Sequence, residues 1–107
     1  MTTFKDLEKS FEAKFAHDEE LKFRARARCN RMLGQWAAQK LNLAEAQGAA
    51  YANDLVMADV DQPGTDAVFN RIRADFDANN VLLSDRQIRR TMDEILAVVM
   101  ERLKAEG

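Results

Sequence analysis

The residues able to do chemistry are few, and their spacing limits what they can do. His17 is the single histidine, followed by Asp18, Glu19 and Glu20. On a helix His17 and Glu20 offer two metal ligands, whereas structural zinc takes four protein donors and catalytic zinc three, so no metal site is expected. An unperturbed imidazole titrates near pH ~6.5, which leaves His17 as a surface group or a pH sensor. Cys29 stands beside Arg28, a neighbour that could activate a thiolate, but its helical phase places it on an apolar face as an inert core thiol. Arg24, Arg28 and Arg31, with Gln35, recur at helical spacing. Such a stripe fits a solvated face paired with acidic neighbours, or a bidentate anion site. No Gly-rich phosphate loop accompanies it. Asp54, Asp59 and Asp61 lack the spacing of a calcium loop, and no serine, histidine and acid set suggests nucleophilic catalysis. The chain is not expected to be an enzyme.

The elements that carry these groups read as helices. Thr3 with Asp6 can begin a first helix that continues to Lys40, close to ~57 Å of rod at 1.5 Å per residue. Three further stretches follow, Ala44 to Val60, Thr65 to Asn79 and Asp85 to Ala105, each about half that length or slightly more. Asn42 with Glu45 is expected to cap the second helix, Asp61-Gln62-Pro63-Gly64 to stop it, Thr65 to cap the third, Asn79-Asn80 to end it, and Ser84 with Gln87 to form a capping box for the fourth. Stepping about 100° per residue gathers Ala25, Cys29, Met32, Leu33 and Trp36 on one side of the first helix. Val68, Phe69, Ile72 and Phe76 gather likewise on the third, and Ile88, Met92, Ile95, Leu96, Val99 and Leu103 on the fourth. Tyr51, Leu55 and several alanines serve the second, whose small side chains predict a close helix contact. Short connections favour antiparallel neighbours, so the expected fold is all-α, an up-down four-helix bundle.

Composition agrees with one small helical domain. The 107 residues are 47% hydrophobic and 32% charged, with one proline and four glycines. No apolar run approaches the length of a membrane span, and the charged start lacks the apolar core of a signal peptide, so a cytoplasmic protein is expected. Net charge is only −2, but residues 22 to 40 hold Lys22, Arg24, Arg26, Arg28, Arg31 and Lys40 with no acid, and residues 41 to 70 hold Glu45, Asp54, Asp59, Asp61 and Asp66 with no Lys or Arg. Pairing between adjacent antiparallel helices is the simplest expectation. Net acidity argues against nucleic acid as a partner.

The N-terminal stretch differs from the rest. Phe4, Leu7, Phe11 and Phe15 fall within about 80° of one another on a helical projection. Asp18 and Lys22 interrupt this stripe where it would join the Cys29 and Trp36 side. The rod outruns the other helices, so residues 1 to 20 read as an arm and residues 21 to 107 as the bundle, with groove insertion the matching mode of recognition.

Several blocks in order carry a family resemblance. They are Phe11-Glu12-Ala13-Lys14-Phe15-Ala16-His17-Asp18-Glu19-Glu20, Leu33-Gly34-Gln35-Trp36-Ala37-Ala38, Val56-Met57-Ala58-Asp59 leading to Pro63-Gly64, and Ser84-Asp85-Arg86-Gln87-Ile88-Arg89-Arg90. In these the chain resembles the zeta inhibitor subunits of alphaproteobacterial ATP synthases. The resemblance implies a four-helix bundle whose N-terminal region enters a catalytic interface of the synthase head and stalls rotation during ATP hydrolysis. The partners it implies are the alpha, beta and gamma subunits of that head. The role falls on Phe4, Leu7, Phe11 and Phe15 as apolar anchors, with Lys5, Asp6, Lys9, Glu12 and Lys14 as rim charges. It further implies a chain that is monomeric when free, sits at the periphery of the inner membrane without inserting into it, and requires no cofactor. Weak adenine nucleotide binding is implied for some members, and Arg24, Arg28 and Arg31 are the candidates here. Cys29 departs from the charged or polar residue expected within that arginine-rich stretch. The competing reading is a helical adaptor or adenine-nucleotide sensor without inhibitory activity, whose arm merely completes the bundle.

Overall fold

Helix ends are set by local chemistry that the sequence carries openly. The computed structural model describes residues 19–63 and 66–106, which form four helices: α1 Glu19–Lys40, α2 Glu45–Asp61, α3 Ala67–Ala78 and α4 Asp85–Glu106. α4 opens with the expected capping box, in which the Ser84 amide donates to Gln87 Oε1 at 2.8 Å and the Gln87 amide donates to Ser84 Oγ at 3.1 Å. Ser84→Ala should cost about 1 kcal/mol of stability in urea denaturation, with the slope unchanged.

α3 ends as expected at its paired asparagines. Asn80 takes φ 57°, the Val81 amide reaches back to the Phe76 carbonyl at 2.9 Å and the Asn80 amide to that of Asp77 at 3.5 Å. This is a Schellman stop with asparagine in the left-handed position. α1 ends in the same way, with Asn42 at φ 57°, the Leu43 amide on the Ala38 carbonyl at 3.0 Å and the Asn42 amide on that of Gln39 at 3.1 Å. Asn42 therefore terminates α1 and does not cap α2; Ala44 occupies the cap position without a side-chain hydrogen bond. Asparagine suits both roles, as N-cap acceptor and as left-handed residue, and the apolar Leu43 behind it selected the second. The α2 stop falls at Asp61 as expected, whereas Thr65 lies outside the described residues and Asp66, at the cap position of α3, makes no cap hydrogen bond through its side chain.

Each consecutive pair of helices is antiparallel, and α4 returns beside α1. Arg26 meets Asp59, Tyr51 meets Asp75, Arg73 meets Asp85 and Arg28 meets Glu106. The expected all-α four-helix bundle is thus present. Its main core joins all four helices through Leu33, Tyr51, Leu55, Ile72, Phe76 and Ile88, with Trp36 tilted against Phe76 at 5.6 Å between ring centroids. A second cluster packs Ala25 and Cys29 of α1 against Leu96, Val99 and Leu103 of α4. It exists because α3, at 12 residues, is about half as long as the 22-residue α1 and α4, so the far end of that pair closes without α3.

The predicted core faces hold with three shifts in degree: Met32, Trp36 and Ile95 are half-buried and flank the clusters, while the other named core residues are buried. Of the α2 alanines expected in the core only Ala52 is buried. The expected close contact is α1 on α2: a Cβ added to Gly34 would stand 2.5 Å from Ala52 Cα and 2.9 Å from Ala52 Cβ. α1 and α4 match in length, and the expected continuation of the first helix back to Thr3 lies outside the described residues.

Candidate functional site

The outer face of α1 gathers the residues singled out for anion chemistry. α1 is gripped on one flank by α2, where Gly34 meets Ala52 and Arg26 forks onto Asp59 through Nε at 3.1 Å and Nη2 at 2.8 Å. On the other flank α4 covers Ala25 and Cys29. The remaining face points outward as an open trough of about 460 Å³, lined by Phe23, Arg24, Arg28, Arg31 and Gln35 with Val56 of α2 at one edge.

Electrostatics along the trough are uneven. Arg24 donates to Glu20 at 2.9 Å, and Arg28 donates to Glu106 of α4 at 2.9 Å. Arg31 is exposed, and among the described residues no carboxylate reaches it. Exposed ion pairs of this kind contribute about 0–1 kcal/mol, so either arginine can exchange its partner cheaply. Cys29 is buried, as its phase predicted.

The charge segregation noted in the sequence resolves only partly into α1–α2 pairing. Arg26–Asp59 is the bidentate bridge between them, but Asp54 faces Arg71 of α3 at 3.8 Å and Asp66 faces Arg89 of α4 at 3.2 Å. Arg89 also lies over the Phe69 ring at 3.8 Å. Tyr51 donates its hydroxyl to Asp75 at 2.7 Å, where Arg71 also binds at 2.8 Å. Burial first, and then the Asp75 hydrogen bond, push the Tyr51 hydroxyl well above its ordinary range, so it stays a protonated donor that ties α2 to α3. These groups are structural. Among the described residues no group of three or more His, Cys, Asp or Glu side chains could hold a metal, and no helix is long and apolar enough to cross a membrane.

Phe4, Lys5, Asp6, Leu7, Lys9, Phe11, Glu12, Lys14, Phe15 and His17 lie outside the described residues. Sequence reasoning overlooked Phe23, which is 57% exposed, and the exposed apolar Met57 and Val60 of α2. The available signal was phase: Phe23 stands off the Ala25–Cys29–Leu33 stripe and next to the arginine stripe.

The model of one family, ATPase inhibitor subunit zeta, matches residues 1–102. The chain belongs to that family. The match takes in the zeta-type N-terminal stretch as well as the whole of α1, α2 and α3 and most of α4. A zeta inhibitor subunit is a regulator of an ATPase, in keeping with side chains that build surfaces and ion pairs. No curated protein matches the chain.

Proposed function

We propose that this protein inhibits ATP hydrolysis by the rotary ATP synthase, with its first 18 residues inserted as an amphipathic helix into a catalytic interface of the head. The observation that carries the reading is the family match from residue 1 to residue 102, which spans the apolar stripe and the bundle together. The bundle supports it, since the described residues assemble two buried clusters of their own from Ala25 through Leu103. A stripe of three phenylalanines and a leucine is then available for another molecule.

The mechanism needs no bond-making by this chain. A rotary head cycles through conformations of its alpha–beta interfaces, and a wedge that binds one of them better than the others holds the head there by its differential affinity alone. Phe4, Leu7, Phe11 and Phe15 supply apolar anchors, and Lys5, Asp6, Lys9, Glu12 and Lys14 supply rim charges that fix orientation. The bundle acts as the body that keeps the wedge from passing through and docks beside the gamma subunit.

Phe11→Glu with Phe15→Glu tests the anchors. Burying two carboxylates without partners costs several kcal/mol, so inhibition of synthase-catalysed ATP hydrolysis should weaken at least a hundredfold in the concentration required. Equal inhibition by the variant and the parent would remove the anchor assignment.

A further inference from the structure

The open trough on α1 has two unlike walls. At about 100° per residue, Arg24, Arg28, Arg31 and Gln35 fall within about 60° of one another and form one wall, while Phe23 and Ala27 with Val56 of α2 form the other. From Phe23 to Gln35 the trough runs about 18 Å along the helix axis, and its arginine row covers about 10 Å of that. The cations are loosely held. Arg24 and Arg28 each pair with one exposed acid, Glu20 and Glu106, and among the described residues no carboxylate reaches Arg31. Such pairs exchange in water at small cost. An exposed phenylalanine ring beside arginines is also the composition that the centres of protein interfaces favour.

We propose that this face of α1 docks an acidic amphipathic helix on the surface of the synthase head, with its carboxylates on Arg24, Arg28 and Arg31 and an apolar side chain over Phe23, Ala27 and Val56. Charge complementarity selects that occupant. Carboxylates at i, i+4 and i+7 of a helix repeat at the spacing of these arginines, and each guanidinium fork grips a carboxylate through two hydrogen bonds. One phosphate group is too small to engage a row about 10 Å long, and a lipid surface is flat where this site is concave. The whole chain carries net charge −2, so a broadly anionic surface also meets the acids of the neighbouring helices, whereas a single helix in the trough meets the arginines. The proposal rests on the reading that this protein acts on the synthase head. There the contact is a second foothold, which steers the encounter and raises the effective concentration of the wedge beside its interface.

Binding of the full chain to the purified catalytic head, followed by interferometry at low and high salt, tests it. With Arg24, Arg28 and Arg31 all replaced by Gln, Kd should rise about tenfold or more, chiefly through slower association, and the salt dependence of the parent should flatten. Saturating variant should still stop ATP hydrolysis. Arg31→Gln breaks no ion pair among the described residues and so leaves the fold alone; by itself it should weaken binding about threefold. Unchanged affinity and salt dependence in both variants would overturn the docking face while leaving the inhibitory reading intact. A parent that binds the head through these arginines without slowing hydrolysis would support the face and contradict the inhibitory reading. Arginine-dependent binding to vesicles of anionic phospholipid, with head binding unaffected, would assign the face to a lipid surface and overturn the proposal. A parent that sediments as a dimer while the triple variant is monomeric would assign it to a second copy, with the same result.

Discussion

Gly34→Ala should lower the melting temperature by about 5–10 °C, although alanine is the better helix former. The reason lies in where the new methyl group would stand. Ala52 Cα is 2.5 Å from the position of that Cβ, and Ala52 Cβ and N lie at 2.9 and 3.3 Å. These are atoms of a helix backbone and its first side-chain carbon, so no rotamer change can clear them. α1 and α2 must separate by close to an ångström, which loosens the fork of Arg26 on Asp59 and the packing of Leu33 against Leu55. Overpacking of this kind costs about 1–3 kcal/mol, and removing glycine from a helix interior returns up to ~1 kcal/mol. At about 4–8 °C per kcal/mol for a domain of this size, the net loss is visible in a thermal melt followed by circular dichroism. A melting temperature equal to or above that of the parent would mean that the two helices are not in backbone contact at Gly34.

Much of the architecture was legible because its signals are local. Ser84 and Gln87 specify a capping box from three residues apart, and Val68, Phe69, Ile72 and Phe76 repeat at a period that only a helix presents as one face. Asn42 shows where local reading fails: the same side chain serves a helix start or a left-handed stop, and the choice rests on whether Leu43 finds apolar cover against the bundle. The ion pairs were illegible for a related reason. Charge segregation suggested α1 against α2, but which arginine meets which acid depends on azimuth and register, quantities fixed only when Gly34 settles against Ala52. Arg28 thus reaches Glu106, 78 residues away, and Asp54 turns to Arg71. Phe23 passed unnoticed because an exposed aromatic has no periodic partner in its own helix.

The candidate site divides along the same line. Arg24, Arg28 and Arg31 could be placed together from their spacing, and α1 does present all three on one face. Their ion-pair partners Glu20 and Glu106 come one from the same helix and one from α4, and only the nearer was accessible to inspection of the sequence. The anchors Phe4, Leu7, Phe11 and Phe15 rest on helical phase and on the family match alone.

Removal of residues 1–18 separates an inhibitory wedge from an arm that completes the fold. The described clusters span Ala25 to Leu103 and include a closed α1–α4 pair, so the shortened chain retains its buried aromatic and aliphatic side chains. If the account is right, those clusters supply the stability, and the leading stripe supplies the affinity. Each anchor desolvated in a partner's groove contributes about 1.5–3 kcal/mol, and losing four of them removes several powers of ten in binding. The decisive measurement is steady-state ATP hydrolysis by the purified synthase, titrated with the full chain and with residues 19–107, alongside a thermal melt of each. The account predicts that the full chain inhibits, that the shortened chain leaves the rate unchanged at a hundredfold higher concentration, and that the two melt within a few degrees. Inhibition by residues 19–107 equal to that of the full chain, or a collapse of the shortened chain's melting temperature, would contradict it.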